Sequence, residues 1–213
     1  MSNGFDIAAL TYDKDFTHSR IGILQRNRVW RLLDDLQKHK DPLNILELNC
    51  GTGEDAIHLA RQGHNVVASD VSDEMLKVAK EKEGAHLVDF MRIDLNAVKT
   101  IDFGSQFDLV FSNFGGLNCI EPDTLKNFNT ILPKLLKPSG KFIAVVMPKF
   151  CLWETIYFLL RGSKKKAFRR KQEFAMANVS GSQVKVWYYS PNDYHNLMTQ
   201  QLKVEKVKPI GLF

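Results

Sequence analysis

The feature that most constrains this chain is an alternation of short apolar runs and helix-like segments that extends from residue 43 to residue 147. The apolar runs indicate buried strands over 43–48, 65–69, 87–93, 107–112 and 142–147, and helix-like segments cover 54–62, 72–83 and 122–136. Strands that alternate with helices pair in parallel, because the crossover returns the chain to the same end of the sheet. We therefore predict an α/β fold, with a Rossmann-like, doubly wound and mostly parallel sheet between two layers of helices.

The length of the chain favours one domain that covers residues 1–213. With 213 residues, 44% of them hydrophobic, the chain can bury a sizeable core. Before the first strand, residues 19–39 carry apolar positions at near-helical spacing. They indicate an amphipathic helix, which Asp41-Pro42 ends.

The regular pattern stops after Pro148. Residues 150–182 combine an aromatic and apolar segment, a basic run and a stretch of small residues, and we predict an inserted lid segment here. Beyond it we expect a strand over 184–189, a helix that begins at Ser190-Pro191 and a sixth strand over 204–210.

Composition argues against secretion, a membrane span and a metal site. The N-terminus lacks a basic region followed by an apolar one, and no stretch approaches the roughly 18–20 apolar residues that span a bilayer. Cys50, Cys119 and Cys151 are few, odd in number and far apart, which favours reduced thiols in a cytoplasmic protein. No Cys/His cluster has metal-ligand spacing, so we expect no metal.

The net charge of +5 is local. Residues 161–171 contribute seven positive charges with no acid among them, and subtracting these from +5 leaves −2 for the rest of the chain. A protein that binds nucleic acid usually spreads basic residues over a face built from several elements. A nucleic-acid partner is therefore not expected. The basic run by itself leaves four alternatives open: an acidic substrate, an anionic membrane surface, RNA, or a solvated helix face.

Polar or small residues follow three successive predicted strands. The first group is the segment 47–53, Glu-Leu-Asn-Cys-Gly-Thr-Gly, whose small residues let a backbone approach a ligand at a helix N-terminus. Asp70 closes the second strand, where its carboxylate could accept both hydroxyls of a ribose. Asp94 closes the third strand and could accept from an adenine amino group while Leu95 packs on the ring. The ligand should lie beyond these strand ends, near the reversal of strand order.

In this pattern, residues 5–148 resemble the class I S-adenosylmethionine-dependent methyltransferases, in particular the small-molecule group that includes the quinone-biosynthesis C-methyltransferases. That family has an acidic residue before a glycine-rich loop, an acidic end to strand two and an Asp after strand three. The resemblance implies S-adenosylmethionine as the cofactor. It implies that the cofactor is bound by Tyr12, Glu47, Asn49, Gly51, Gly53, Asp70, Val71, Met75, Asp94, Leu95 and Asn113.

The chain departs from the family pattern in two places. Asn49 replaces the first glycine of the loop, which is tolerable because Asn enters the left-handed region more readily than most residues. The family sheet usually finishes with an antiparallel hairpin of strands six and seven, whereas this chain stops after the predicted sixth strand. Either the seventh strand is missing from this chain or the tail is built differently.

The glycine loop also fits a second interpretation. Gly51-x-Gly53-x-x-Ala56 matches the dinucleotide fingerprint, with Asp70 near the position of a ribose partner. Glu47 before the loop and Asp94 after strand three favour S-adenosylmethionine over a nicotinamide cofactor. An α/β domain without catalytic activity is a third possibility.

The N-terminal stretch 5–13 looks like the family's cap, in which a Tyr-Asp pair folds over the cofactor, and we predict a helical cap over 1–40. Tyr12 would then contact the methionine end of the cofactor. An ordinary surface helix is the alternative. His18 is our candidate catalytic base, with a surface or N-capping role as its alternative. We expect His58 to be solvated or packed, and His195 is an outside candidate for the base.

The loop after the fourth predicted strand limits the acceptor. In the resembling family this loop lies beneath the sulfonium, so Asn113 and Gly115-Gly116 could shape the space between donor and acceptor. The loop lacks the Pro-Pro-aromatic sequence common in amino-methyltransferases of bases or glutamine, and no Cys follows a Pro as cytosine C5 enzymes require.

Six aromatic residues flank the basic run and could line a lid over an apolar pocket: Trp153, Tyr157, Phe158, Trp187, Tyr188 and Tyr189. We therefore predict a small-molecule O- or C-methyltransferase with a partly apolar acceptor. An RNA methyltransferase that uses residues 161–171, or a non-catalytic nucleotide-binding protein, is the alternative. Peripheral membrane contact is compatible with either.

Overall fold

A computed structural model describes residues 4–34, 41–97, 103–179, 181–197 and 201–211. Its α-helices are α1 (Gly4–Tyr12), α2 (Arg20–Asp34), α3 (Glu54–Arg61), α4 (Asp73–Glu81), α5 (Pro122–Leu135), α6 (Leu152–Leu160), α7 (Lys164–Ala167) and α8 (Pro191–Leu197). Its strands are β1 (Asn44–Leu48), β2 (Asn65–Asp70), β3 (Val88–Arg92), β4 (Phe107–Ser112), β5 (Leu136–Ala144), β6 (Ala175–Val179) and β7 (Ser182–Val186). A π-helical turn at Asp13–Thr17 joins α1 to α2, and the last residues of the predicted 19–39 helix lie outside the described ranges. None of the described helices has the length and apolarity that a bilayer span requires.

Five strands form one parallel sheet in the order β3-β2-β1-β4-β5, which confirms the predicted doubly wound α/β fold. β1 lies at the centre, and its apolar residues Ile45, Leu46 and Leu48 are fully buried, as expected for a strand covered on both faces. Strand order reverses between β1 and β4. The ends of these strands lie level, because Leu48 pairs with both Ser69 and Ser112.

Helices cover both faces of this sheet. On one face, Val29 and Leu33 of α2 pack with Leu59 of α3 in a single apolar cluster. On the other face, Leu125 and Phe128 of α5 pack with apolar residues of β1 and β4. The helix termini follow sequence signals. The Oγ of Ser72 accepts the N–H of Met75 at 3.1 Å and caps α4, as predicted.

The prediction for the fifth strand is wrong in its bounds. β5 begins at Leu136, not at residue 142, and the expected turn at Pro138-Ser139-Gly140 lies within it as an irregularity. Phe107 pairs with Leu136, but Leu109 pairs with Lys141, so β5 carries extra residues opposite β4. The φ of 66° at Ser139 shows that the turn geometry is present as a bulge inside the strand.

The C-terminal predictions are partly wrong. The strand predicted over 184–189 is β7, which ends at Val186 and pairs antiparallel with β6 in a separate hairpin. β6 was not predicted, because its Ala-Met-Ala-Asn-Val sequence contains one β-branched residue. Ser190 accepts the N–H of Asp193 at 3.1 Å, which confirms the predicted start of α8.

The predicted sixth strand over 204–210 does not form, and the described residues 201–211 contain no strand. Val204 and Val207 are both exposed, and their odd spacing would place them on opposite faces of a strand. Pro209 lacks the N–H that a ladder requires. Glu205 instead pairs with Lys141 at 2.7 Å across the surface of β5.

Candidate functional site

The loop between β1 and α3 has the backbone geometry that its sequence predicts. Asn49, Gly51 and Gly53 have φ values of 56°, 54° and 74°, so Asn49 does adopt the left-handed conformation at the position of the missing glycine. A Cβ at Gly51 would meet no atom within 4 Å, whereas a Cβ at Gly53 would lie 2.9 Å from the Phe90 ring. Gly53 therefore permits close packing, and Gly51 leaves the loop backbone open on one side.

Asp70 joins the end of β2 to this loop. Its Oδ2 accepts the N–H of Gly51 at 2.8 Å, and its Oδ1 accepts the N–H of Ser72 at 2.9 Å. Burial raises the pKa of Asp70, and these backbone N–H groups oppose the rise. Each carboxylate oxygen keeps a second lone pair, so Asp70 can still accept hydroxyl groups from a ligand.

Glu47 lies near the end of β1, two residues before Asn49, and is only 1% exposed. Its Oε2 has no hydrogen-bond partner within the described part of the chain. Burial, and then the nearby charge of Asp55, raise the pKa of Glu47 well above its ordinary value. A buried carboxyl group with an unpartnered oxygen is unfavourable by itself and can be stabilised by a cationic ligand.

A buried polar network connects α2, α3 and the end of β4. The carboxylate of Asp55 forms an ion pair with the Nη1 of Arg26 at 2.8 Å. It also accepts hydrogen bonds from the Nε1 of Trp30 at 2.7 Å and from the Nδ2 of Asn113 at 3.0 Å. Arg26 and Asp55 are 6% and 3% exposed, and the guanidinium lies 4.7 Å from the centre of the Phe114 ring. Sequence reasoning missed both Arg26 and Asp55. The available signal was that Arg26 shares the buried stripe of α2 with Gly22, Val29 and Leu33.

The N-terminal segment contacts the same strand ends. Asp13 accepts a hydrogen bond from the Oγ1 of Thr52 at 2.6 Å and forms an ion pair with the Nζ of Lys82 at 2.7 Å. Burial acts to raise the pKa of Asp13, but these partners lower it below its ordinary value. The ring of Phe16 lies 5.5 Å from Tyr12 and 4.9 Å from Phe114, so aromatic side chains cover the end of β4.

Comparisons with known proteins place this chain in a family. A model of the methyltransferase domain matches residues 45–140. The chain is 30% identical over 189 residues to a demethylmenaquinone methyltransferase of Renibacterium salmoninarum, an alignment that covers 87% of this chain and 72% of that protein. This chain belongs to the class I S-adenosylmethionine-dependent methyltransferases. The family decides between the two interpretations of the glycine loop in favour of S-adenosylmethionine.

Another relative is named for a different substrate. A malonyl-[acyl-carrier protein] O-methyltransferase of Pectobacterium atrosepticum is 31% identical over 140 residues, which are 66% of this methyltransferase and 50% of that protein. This methyltransferase spans about half the length of several curated relatives that it matches, namely 44%, 54% and 50%.

Solved structures with the same fold include the PH0226 protein from Pyrococcus horikoshii OT3, with a TM-score of 0.61 and 24% identity over 87% of this chain and 86% of that chain. A DhpI–SAM–HEP complex has a TM-score of 0.63 and 21% identity over 90% and 82% of the two chains. At such identities the likeness concerns the fold.

The predicted cofactor residues of this methyltransferase lie in several places, with Tyr12 beside Phe16 in the N-terminal segment. Glu47, Asn49, Gly51, Gly53, Asp70 and Asn113 lie together at the ends of β1, β2 and β4. Asp94 and Leu95 follow β3 at the neighbouring edge, where the Oδ1 of Asp94 accepts the N–H of Asn96 at 2.9 Å. Val71 follows Asp70, and its carbonyl accepts the Nε of Arg92 at 3.2 Å. Met75 is buried against Ala8 and Ala9 of α1.

The three histidines considered in the sequence analysis have different surroundings. His18 follows the π-helical turn with an exposed side chain, and its backbone N–H donates to the carbonyl of Asp13 at 2.7 Å. His58 stacks on Trp30 at a centroid distance of 3.5 Å, so it is packed, and burial lowers its pKa. His195 is exposed on α8. The catalytic role of His18 stays a prediction.

The site fits the family's cofactor in its chemistry. S-adenosylmethionine carries a cationic sulfonium and ammonium, and the strand ends supply the unpartnered Oε2 of Glu47 beside Asp70. The open side of Gly51 gives room for a ligand against the loop backbone. Gly116, in contrast, packs closely against the loop, because a Cβ there would lie 2.4 Å from the Cβ of Asn49.

Proposed function

We propose that this protein transfers the methyl group of S-adenosylmethionine to an oxygen or carbon atom of a small, partly apolar acceptor. The observation that carries the proposal is the convergence of Glu47, Asp70 and the Gly51–Gly53 loop at level strand ends, beside Asn113. When bound, the cofactor supplies a methyl carbon already activated by its sulfonium. The protein then has to bind, orient and exclude water.

Each part of the cofactor has a matching group in this chain. We assign the ribose hydroxyls to Asp70 and the ammonium group to Glu47, whose unpartnered oxygen would gain a charge-assisted hydrogen bond. The methionine carboxylate is assigned to Arg26, because its Nε is buried without a partner among the described residues while Asp55 holds Nη1. Asp94 and Leu95 would border the adenine, as predicted from the sequence, and Val71 would contact the cofactor next to Asp70.

Positioning accounts for most of the expected rate. Holding donor and acceptor in line corresponds to effective molarities of roughly 10⁵ to 10⁸ M, which is about 7–11 kcal/mol of the barrier. Burial raises the pKa of Tyr12 to about 12, so its hydroxyl stays protonated at neutral pH. Tyr12 would therefore orient a reactant by hydrogen bonding. If the acceptor must lose a proton, His18 remains the candidate base, with a contribution of about 10²- to 10⁴-fold.

The acceptor class rests on the aromatic lining and on the names of the relatives. Tyr12, Phe16 and Phe114 form a contiguous aromatic cluster over the end of β4, which suits an apolar part of an acceptor. The relatives are named for demethylmenaquinone and for a malonyl-acyl carrier protein, so they support a small-molecule acceptor without choosing between carbon and oxygen. An RNA acceptor gains no support from Arg169 and Arg170, because both pair with Glu154.

The cofactor assignment is tested by calorimetry with S-adenosylmethionine and S-adenosylhomocysteine. Asp70→Asn removes the charge that accepts the ribose hydroxyls and keeps the shape of the side chain. Hydrogen bonds to a charged group contribute about 1.5–3 kcal/mol, so we expect affinity to fall about 10- to 150-fold. Asp89→Asn, an exposed aspartate on β3, is the matched control and should bind as the wild type does.

Equal affinities of the Asp70→Asn variant and the wild type would contradict the ribose assignment. Acceptors are then tested by transfer of a labelled methyl group to quinol-type phenols, to carboxylic acids and to RNA. Labelling of RNA alone would overturn the proposed acceptor class and leave the cofactor assignment in place.

A further inference from the structure

Helix α6 presents its apolar side to solvent. Its exposed large side chains are Leu152, Trp153, Ile156, Tyr157, Leu159 and Leu160. Positions 152, 156 and 160 are four residues apart, as are 153 and 157, so these side chains share one face of the helix. None of the nine residues of α6 is buried. This arrangement is the reverse of an ordinary amphipathic helix, which packs its apolar stripe on the core.

The polar side of α6 fixes this orientation. Glu154 accepts hydrogen bonds from the Nε of Arg169 at 2.9 Å and from the Nε of Arg170 at 3.1 Å. The Oγ1 of Thr155 donates to the carbonyl of Cys151 at 2.8 Å. Because the acidic group of α6 is turned towards the two arginines, its apolar face is left outward.

Basic residues follow α6 directly along the chain. Lys164, Lys165 and Lys166 are exposed on α7, directly after α6, with Lys171 beyond them. The guanidinium of Arg161 lies 4.6 Å from the centre of the Tyr157 ring. Since residues 161–171 contain no acid and the rest of the chain sums to −2, the positive charge of the protein is concentrated beside α6.

We propose that this surface docks on an anionic membrane. The docking face consists of Leu152, Trp153, Ile156, Tyr157, Leu159 and Leu160 with the cations Arg161, Lys164, Lys165, Lys166 and Lys171. Helices of this kind lie in the plane of the interface, with apolar side chains about 5–10 Å into the boundary of headgroups and acyl chains and with basic residues on anionic lipids. Trp153 and Tyr157 are the residue types enriched at that depth.

The composition of the docking face favours lipid over two other partners. RNA binding uses aromatic side chains for stacking on bases, and the aliphatic Leu152, Leu159 and Leu160 would remain in water. A symmetric pair of chains would bring two acid-free basic segments together, which is electrostatically unfavourable. A surface that is both apolar and anionic can bind the apolar side chains and the basic residues of the docking face at once.

The docking face lies outside the strand ends that hold the proposed cofactor site. The inference therefore does not depend on the proposed acceptor, and either can fail alone. A membrane partner would be consistent with a lipid-soluble acceptor but does not require one.

The experiment uses the full chain with phosphatidylcholine vesicles that contain about one third phosphatidylglycerol, and with pure phosphatidylcholine vesicles. The protein has three tryptophans, and Trp153 is 58% exposed while Trp187 is 8% exposed and Trp30 stacks on His58. On anionic vesicles we expect co-sedimentation, a blue shift of the fluorescence and quenching by brominated acyl chains. Trp153→Phe should lose the fluorescence change and still sediment.

Charge is tested with matched triple variants. Each Lys near an anionic surface contributes about a fivefold change, so K164Q/K165Q/K166Q should bind anionic vesicles about 100-fold more weakly. K77Q/K80Q/K126Q removes three exposed lysines from α4 and α5, changes the net charge equally and should bind as the wild type does. Raising the salt concentration should weaken wild-type binding in the same direction.

Three results would overturn the proposal. One is the absence of co-sedimentation with anionic vesicles, and another is an equal loss in the two triple variants. The third is a partner of another kind, namely RNA retention or a dimer that depends on Trp153 and Leu160 while vesicles are not bound. Calorimetry with S-adenosylmethionine on the same variants separates these outcomes from a failure of the proposed function, because the docking variants leave the strand ends unchanged.

Discussion

Two regions of this protein depart from the usual distribution of polar and apolar groups, and they do so in opposite ways. At the strand ends, ionisable side chains are buried, as Arg26, Glu47 and Asp55 show. On the docking face, large apolar side chains are exposed beside unbalanced positive charge. Globular proteins normally keep charges outside and cluster apolar groups inside, so both regions need a compensating partner.

The two regions differ in how many of these unfavourable groups already have a partner within the protein. At the strand ends most charges are already paired, and the remaining gaps are single atoms such as the Oε2 of Glu47 and the Nε of Arg26. Such gaps suit a small ligand with a few polar groups. On the docking face a whole helix side is uncovered, which suits an extended surface. The size of the uncompensated area thus separates a small-molecule site from a docking surface.

The largest effect is expected where the buried network is broken. Asp55→Ala leaves the guanidinium of Arg26 buried without its counter-charge, and removing one partner of a buried pair costs about 3–5 kcal/mol. We expect the free energy of unfolding in urea to fall by that amount. The control is Asp123→Ala, which removes an exposed partner of Lys126 and should change stability by no more than about 0.5 kcal/mol.

A second variant tests whether the unpaired charge is the cause. Replacing both partners, as in R26M/D55L, should recover only the part of the lost stability that comes from the unpaired guanidinium, because Trp30 and Asn113 still lose the acceptor that Asp55 gives them. If Asp55→Ala and Asp123→Ala cost the same, the network does not stabilise the strand ends in the way described.

A smaller, pH-dependent effect is expected at Glu47. Burial raises the pKa of this carboxyl group in the folded state, so the folded protein holds the proton more tightly than the unfolded chain does. The contribution of Glu47 to stability is therefore complete below the ordinary pKa of 4.5 and is lost as the pH rises towards the folded-state pKa. Glu47→Gln removes this loss, so it should become more stable than the wild type by at most about 1.4 kcal/mol for each pH unit in that window.

Urea unfolding at a series of pH values measures the difference. Glu83→Gln changes an exposed glutamate and should keep the wild-type profile. Parallel profiles of Glu47→Gln and the wild type would mean that Glu47 ionises in the folded protein as it does in the unfolded chain.

Local sequence signals were enough to predict the central fold and one half of the site. The five apolar runs between residues 43 and 147 became the strands of the parallel sheet, because burial on both faces leaves little choice for such runs. Asp70 and the glycine loop were found from their positions at strand ends. Asn49 was expected to tolerate positive φ where the resembling family has a glycine, and it has a φ of 56°. These features depend on neighbours along the chain.

The other half of the site could not be found in this way. Arg26 and Asp55 are separated by 29 positions and meet because α2 packs beside α3, which no spacing rule predicts. The sixth strand failed for a different reason, since Val204 and Val207 would lie on opposite faces of a strand and Pro209 lacks the N–H that a ladder requires. Of the six aromatic residues expected to line one lid, Trp187, Tyr188 and Tyr189 are buried while Trp153 and Tyr157 are exposed. An apolar helical stripe has the same periodicity whether it faces the core or the solvent.

The smallest effect on the free energy of unfolding is expected on the exposed apolar stripe of α6, which we compare with a buried position of α5. Leu160 is 83% exposed, so Leu160→Ser removes few contacts and should change the free energy of unfolding by less than about 0.5 kcal/mol in the absence of lipid. Leu132→Ala, at a fully buried position of α5, should cost about 2–5 kcal/mol. Urea unfolding at two protein concentrations measures both. A large loss for Leu160→Ser that grows with protein concentration would indicate that a second chain already covers the docking face, and a large loss that does not would indicate that α6 packs on its own domain.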